Sequence, residues 1–273
     1  MAQNSTYVLA EGKNGQGALD TLHDAIDNYL GHKLTPAPLG HPRRILELGA
    51  GSGAWAIQAA KQFPEAAVIA ADMSPLPPRP TPTNLKFIQA DITQTLPFEP
   101  ESFDIVHLRF VLFHIPHGIT LVPKLAQLVA PGGLLLIVDG GAFDVTGDDA
   151  PAVRRCSELL TAYMRSKHQD PRIADILETQ LRTSGLFSDV GAHRVCLPLN
   201  TPVADPAVQQ LSKVFADSFK RVLTGEVPPE VRAAGLTQEL QQACQEEVDV
   251  KEWDSMLDVV WTWSRKPVDA VTL

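Results

Sequence analysis

The chain has 273 residues, 44% of them hydrophobic and 20% charged, with 23 Lys and Arg against 32 Asp and Glu for a formal net charge of −9. That length allows one large domain, or one domain with a sizeable insertion, and ample area for a buried core. No run of about 18 apolar residues occurs, which excludes a membrane-spanning helix, and an acidic surface without a basic cluster repels a phosphate backbone, which excludes nucleic acid as the main partner.

The opening Met1-Ala-Gln-Asn-Ser-Thr has neither a basic nor an apolar segment, so no secretory signal is expected. Cys156, Cys196 and Cys244 lie far apart with no CxxC pattern. This argues against a disulfide scaffold or a cysteine-rich zinc site and for a reducing, cytoplasmic compartment.

In chain order, Asp20 to Leu30 places Leu22, Ile26, Tyr29 and Leu30 on one helical face, with Gly31 as a stop. From Arg43 to Asp139 short apolar runs alternate with helical patterns. Ile45–Leu48, Ala67–Ala71, Leu85–Ala90, Phe103–Leu108 and Leu134–Val138 read as strands, Ala54–Phe63 and Ile119–Val129 as helices. Such alternation predicts an α/β fold, a parallel sheet with helices on both faces. Five prolines between Ser74 and Thr83 keep that crossover an extended loop. Beyond Asp139, Ala152–Lys167, Ile173–Ser184, Pro206–Leu223 and Leu236–Gln245 read as helices. Val190–Leu197 and Asp258–Arg265 read as strands, the last an antiparallel addition after an inserted cap.

The segment Arg43-Arg-Ile-Leu-Glu-Leu-Gly-Ala-Gly-Ser-Gly-Ala-Trp carries the chemistry. A strand runs into three alternate glycines, Gly49, Gly51 and Gly53, and then into a helix. The bare turn lets backbone approach a ligand, and free amides of the helix start face the same crevice. Gly49-x-Gly51-x-x-Ala54 also satisfies the dinucleotide fingerprint. Glu47, two residues earlier, is expected to repel a diphosphate and attract an ammonium group. That disfavours NAD and favours S-adenosylmethionine. Asp72 ends the second strand, where a carboxylate can accept from both ribose hydroxyls. Asp91 ends the third, where it could accept from an adenine amino group while Met73 and Ile92 sandwich the ring.

Glu47-Leu-Gly-Ala-Gly-Ser-Gly, Ala71-Asp72-Met, Ala90-Asp91-Ile, Phe103-Asp-Ile-Val and Ala130-Pro-Gly-Gly-Leu-Leu-Leu-Ile resemble the motifs of class I S-adenosylmethionine-dependent methyltransferases, in order and spacing, over residues 43–139. Tyr7-Val-Leu, Leu30-Gly-His-Lys-Leu, Trp55-Ala-Ile, Ser74-Pro with its proline loop, His107-x-Arg109-Phe110 and Arg265-Lys-Pro are similar to the LaeA-like (UMTA-type) fungal methyltransferases of secondary metabolism. The resemblance implies a Rossmann-like seven-stranded sheet of order 3-2-1-4-5-7-6 with the last strand antiparallel. It also implies S-adenosylmethionine as cofactor, its ammonium near Glu47, Gly49 and the Arg109 backbone, with Tyr7, Ala50, Gly51 and Gly53 beside it. Asp72 would take the ribose, and Asp91 with Ile92 the adenine.

Methyl transfer is an in-line displacement at a carbon activated by sulfonium, so the protein chiefly positions the acceptor in a dry site. The acceptor crevice is expected beyond the fourth and fifth strands, near His107, Arg109, Phe110, His114, His117, Asp139 and Phe143. His114 is the candidate general base near neutral pH. Arg109, Asp139 and His107 are the other candidate catalytic groups, each with a structural alternative: a buried hydrogen-bonded pair for His107 and Arg109, a cap for Asp139. No third ligand joins His114 and His117, so no metal is expected. Tyr7, His23, Tyr163, Met164, Phe215, Phe219 and Trp253 are available to line an apolar pocket.

The expected organisation is an N-terminal lid helix (1–41), a cofactor-binding core (42–140), a helical cap (141–188), and final strands (189–273) carrying inserted helices at 200–255. The function this supports is methyl transfer to an O, N or C atom of a small molecule, without nucleic-acid or membrane partners and with a homodimer left open. A LaeA-like regulator acting through protein partners, or a cyclase that binds S-adenosylmethionine as a cation, are the competing classes.

Overall fold

The computed structural model describes residues 15–141, 144–146, 149–250 and 253–268. Tyr7 and Phe143 lie outside the described residues. The elements are α1 (Gly15–Tyr29), β1 (Arg44–Leu48), α2 (Ala54–Gln62), β2 (Ala67–Asp72), β3 (Leu85–Gln89), β4 (Phe103–Arg109), α3 (Val122–Leu128), β5 (Val129–Gly140), β6 (Asp144–Thr146), α4 (Pro151–Ser166), α5 (Ile173–Thr183), β7 (Asp189–Pro198), α6 (Pro206–Thr224), α7 (Pro229–Ala233), α8 (Gln238–Val250) and β8 (Asp254–Arg265).

The sheet runs β3-β2-β1-β4-β5-β8, with β7 on the far side of β8 and the three-residue β6 pairing the start of β8. Strands β1 to β5 are parallel, and β8 is antiparallel to both β5 and β7. Without β6 this is the expected 3-2-1-4-5-7-6. The alternation of Cβ directions along a strand sorts β4 and β5 between two cores. Val106, Leu108, Leu135 and Ile137 meet α3 and α5 on one face, while Ile105, Leu134 and Leu136 meet α2 on the other. Further along that second face Val138, Val259 and Trp261 join α1, α4, α6 and α8 in a third core.

Three expectations need correction. The helix expected from Ile119 is a 3-10 turn, Gly118–Leu121, followed by α3 from Val122, and Val129 already belongs to β5. Pro123 occupies the first turn of α3, where its missing N–H removes no helical bond. The last strand begins at Asp254 rather than Asp258, because Asp254–Met256 pair with β6. Residues 141–188 do not form one cap: α4 joins α6 and α8, whereas Ile173, Leu177 and Leu181 of α5 pack on the sheet beside Val106 and Ile137. An apolar stripe facing a β-sheet is the signature of a crossover helix, and α5 leads directly into β7.

Gly191 on β7 lies against Trp263 of its paired strand, so that a Cβ there would come 2.1 Å from the indole Cε2. Gly191→Ala should lower unfolding free energy by about 1–3 kcal/mol, the range for overpacking. Urea denaturation checks this, and an unchanged midpoint with an unchanged slope is the contrary result.

Candidate functional site

The C-terminal ends of β1 to β5 form one edge of the sheet, and the sequence motifs converge there. Gly49, Gly51 and Gly53 all have positive φ, at 72°, 55° and 77°, a conformation that L-side chains adopt only at a cost. The loop is pinned by Gly49 and Ala50 N–H groups donating to Ala71 O at 2.8 and 3.1 Å. The Asp72 carboxylate ties β2 to the same loop: Oδ2 accepts from Gly51 N and Oδ1 from Ser74 N, both at 2.8 Å. A Cβ at Gly49 would lie 2.4 Å from Val111 Cγ2, so the turn is bare because its surroundings leave no room.

From above, α1 and the proline loop close on these glycines. The Arg79 guanidinium donates to Asp20 Oδ1 at 2.9 Å and to Ser52 O at 3.0 Å. At the end of β3, Asp91 Oδ1 accepts from the N–H and the hydroxyl of Thr93 at 2.8 and 2.7 Å, and Oδ2 accepts no hydrogen bond among the described residues. Lys124 of α3 fixes this turn by donating to Ile92 O at 2.7 Å and to Gln94 O. Met73 is 52% exposed, an apolar side chain left in the open beside Asp72.

Glu47 departs from the expectation placed on it. Its side chain is 4% exposed, and Oε2 accepts from Ala56 N in the first turn of α2 at 3.0 Å. It thus satisfies a helix N-terminus that has no side-chain cap of its own. Burial pushes its carboxyl up to about 8 against the pull of Arg109 and the Ala56 N–H, so it is mostly protonated at neutral pH. The electrostatic choice between an ammonium and a diphosphate therefore cannot rest on Glu47.

His107 is likewise sealed inside. It stacks on Trp55 at 3.6 Å between ring centroids, is 1% exposed, and lies 3.6 Å from Glu47 Oε1, beyond hydrogen-bond reach. It is a packing residue of the β4–α2 interface and is removed from the candidates that touch an acceptor. Arg109, two residues on along the same face, is half-buried and contacts His23 of α1, Nη2 to Nδ1 at 3.2 Å. Phe110 follows with φ +54°, an outlier for a bulky residue, and packs edge-on against Phe215 of α6.

Asp139, fully buried, accepts from Leu112 N at 3.1 Å and Gly140 N at 3.2 Å. It holds the start of the 3-10 turn Leu112–His114, whereas the structural alternative foreseen for it was a cap of the segment after β5. Burial displaces His114 down to about 3. The imidazole stays neutral and is a weak proton acceptor, contrary to its expected role as a base poised near neutrality. His117 stacks on His168 at 4.8 Å. Among the described residues no group of three or more His, Cys, Asp or Glu is arranged to hold a metal ion, and no helix is long and apolar enough to cross a membrane.

Sequence reasoning missed Asn84, Gly118 and Lys124, and named His23 only as a pocket-lining residue. Asn84 Nδ2 faces the carbonyls of Ala60, Phe63 and Ala66 at 2.9–3.1 Å and so holds the end of α2. A Cβ on Gly118 would come 2.0 Å from Leu112 O, a backbone atom that cannot turn aside. Glycine punctuation before a helix was the available signal for Gly118. None existed for Asn84 and Lys124.

The buried acids set a pH dependence. Asp139 is pushed up to about 7 by burial, against the N–H groups of Gly140, Phe113 and Leu112, and Glu47 to about 8. An acid raised by folding stabilises below its unfolded value and loses that contribution as pH rises through the folded value. His23 and His114, lowered to about 4 and about 3 by burial, weaken the fold only as pH falls below about 6.5. Of these groups only the two acids act between about pH 6.5 and 8. Unfolding free energy should fall across that window by up to about 1.4 kcal/mol per pH unit per group, and Glu47→Gln should flatten its upper half. A profile that rises with pH there contradicts the assignment.

A family model described as a methyltransferase domain matches residues 22–186. Methyltransferase str3 of Strobilurus tenacellus is 43% identical over 228 residues, 82% of each chain. The secondary metabolism regulator laeA of Aspergillus flavus is 28% identical over 207 residues, covering 72% of this chain and 55% of that one. The solved structure of Haemonchus contortus phosphoethanolamine N-methyltransferase 2, in complex with phosphomonomethylethanolamine and S-adenosylhomocysteine, matches with a TM-score of 0.53 at 18% identity, over 93% of this chain and 58% of that one. At that identity the likeness speaks to the fold.

Proposed function

This chain belongs to the class I S-adenosylmethionine-dependent methyltransferases related to the LaeA-like fungal enzymes, and from that premise we propose that its acceptor is a small molecule of fungal secondary metabolism, methylated on O, N or C. The observation that carries the reading of the site is the Asp72 carboxylate at the end of β2, bonded to the Gly51 amide. It places acid and bare backbone together at one strand edge.

The residues present fit S-adenosylmethionine. The loop from Gly49 to Gly53, with Ala50 within it, offers backbone to the methionine tail, and the Arg109 backbone is assigned to its ammonium group. Each Asp72 oxygen retains a lone pair beyond the one facing Gly51 or Ser74, enough for two ribose hydroxyls. Met73 and Ile92 are assigned to the adenine faces and Asp91 Oδ2 to its amino group. When bound, the cofactor supplies an electrophilic methyl carbon on sulfonium. What this chain's residues contribute is alignment and exclusion of water. Reach toward the reacting centre is worth several kcal/mol when it replaces a bimolecular encounter.

Calorimetry with S-adenosylhomocysteine and with NAD tests the cofactor side; binding of NAD alone defeats the assignment. Labelled methyl transfer from S-adenosylmethionine into a fungal metabolite extract, run beside the protein fraction, tests the acceptor side. Label in the small-molecule pool is expected. Label confined to protein points to the regulator, and a product formed with the donor intact points to a cyclase.

A further inference from the structure

Arg109 carries more hydrogen-bonding capacity than its surroundings use. A guanidinium presents five N–H donors and keeps its charge at any physiological pH. Here one of them meets an acceptor among the described residues, His23 Nδ1. Glu47 lies close enough to act on Arg109 electrostatically, yet its oxygens face Ala56 N and His107. His23 brings no counter-charge. It accepts at Nδ1, and burial together with Arg109 holds it neutral, so its proton sits on Nε2 as a further donor. His107, behind them, is buried with neither ring nitrogen hydrogen-bonded. The result is a half-buried cation with an open fork beside a neutral N–H donor.

We infer that Arg109 and His23 form a carboxylate-binding site, and that the acceptor is a carboxylic acid methylated on its carboxylate oxygen. This rests on the small-molecule reading above and names its substrate class. The planar fork of Arg matches a carboxylate through paired N–H···O bonds. The side of Arg109 toward Phe110 and α6 commits the proposal to the acceptor as the source of that group, and the test below separates it from the methionine tail. The pair joins β4 to α1, and α1 packs on α6, where Asn28 Nδ2 donates to Gln210 Oε1 at 2.8 Å. The next residue, Phe110, meets Phe215 of the same α6. Arg109 and His23 thus stand between the Phe110–Phe215 contact on the α6 side and the glycine loop, which α1 also reaches through Leu19 at Gly51.

The chemistry agrees. Asp139 is committed to the Leu112–His114 turn, and His114 is a weak base when buried. A carboxylate arrives with its own nucleophilic lone pair and needs no base. One oxygen forms the bond to the methyl carbon, the C–S bond breaks with its electron pair passing to sulfur, and a methyl ester and S-adenosylhomocysteine result. No proton moves. Arg109 holds the oxygen that does not attack.

The test uses the full chain saturated with S-adenosylhomocysteine, titrated with 2-naphthoate, 2-naphthamide and 2-naphthylmethanol. The acid should bind roughly 10–100-fold tighter than either neutral analogue, the range for hydrogen bonds to a charged group. R109Q should erase that preference, and any change it makes in affinity should be the same for S-adenosylhomocysteine and for its decarboxylated analogue. R109K, which keeps charge but not the fork, and H23Q should each retain part of it. Label transferred to naphthoate should be released as methanol by mild alkali. The wild-type comparison stands even if R109Q does not fold. No preference for the acid in the wild type overturns the inference. So does R109Q weakening S-adenosylhomocysteine but not its decarboxylated analogue, since Arg109 would then read the cofactor's own carboxylate. Both of those outcomes leave the small-molecule reading intact; that reading fails separately if label enters only protein.

Discussion

Gly49→Ala should abolish measurable binding of S-adenosylhomocysteine and lower the stability of the free protein by about 2–5 kcal/mol. Two effects add. Holding an alanine at φ +72° costs about 1–2 kcal/mol. Its Cβ would also lie 2.4 Å from Cγ2 and 3.2 Å from Cγ1 of Val111, a stiff β-branched side chain, which adds about 1–3 kcal/mol of overpacking. Relief by moving Val111 disturbs the start of the Leu112–His114 turn, and relief by moving the loop breaks the Gly49 and Ala50 bonds to Ala71 O. Gly17→Ala is the control, because a Cβ at Gly17 meets nothing within 4 Å. Calorimetry and urea unfolding of both variants decide it. Native affinity in Gly49→Ala means that the glycine turn is not the cofactor cradle.

Asp72→Ala should weaken S-adenosylhomocysteine by ~1.5–3 kcal/mol, the worth of charge-assisted hydrogen bonds lost from one side, or about 10–150-fold. Part of that loss comes through the protein alone, since the carboxylate also holds Gly51 N and Ser74 N at 2.8 Å. Asp72→Asn separates the two contributions. It keeps an acceptor for one of the amides but lacks the charge, so the unfolding free energy should recover more than the affinity does. Calorimetric affinity unchanged in both variants removes the ribose from Asp72.

The strand ends bearing Asp72 and Asp91, the glycine turn and the unhelical proline loop were legible because each depends on local pattern, whereas the sheet order came only with the family resemblance. Alternation of periodicity announces strands and helices, glycines at alternate positions announce a turn, and five prolines forbid a helix. The misread elements share the opposite property. The start of β8 depends on β6, a partner far away in sequence, and α5 reads as cap or crossover equally well until its apolar stripe meets the sheet.

What the sequence determined by itself is the kind of site: which residue types stand at which strand ends, and that bare backbone separates them. The tertiary structure decided the charge states and the pairings. Glu47, read as a carboxylate that meets the ligand, is buried against α2 with its pKa raised by desolvation, and His114 read as a base is kept neutral by desolvation. Arg109 meets His23 across 86 positions of chain, a contact no local pattern encodes. Burial penalises charge by taking water away, and where water is taken away is settled only when distant segments pack.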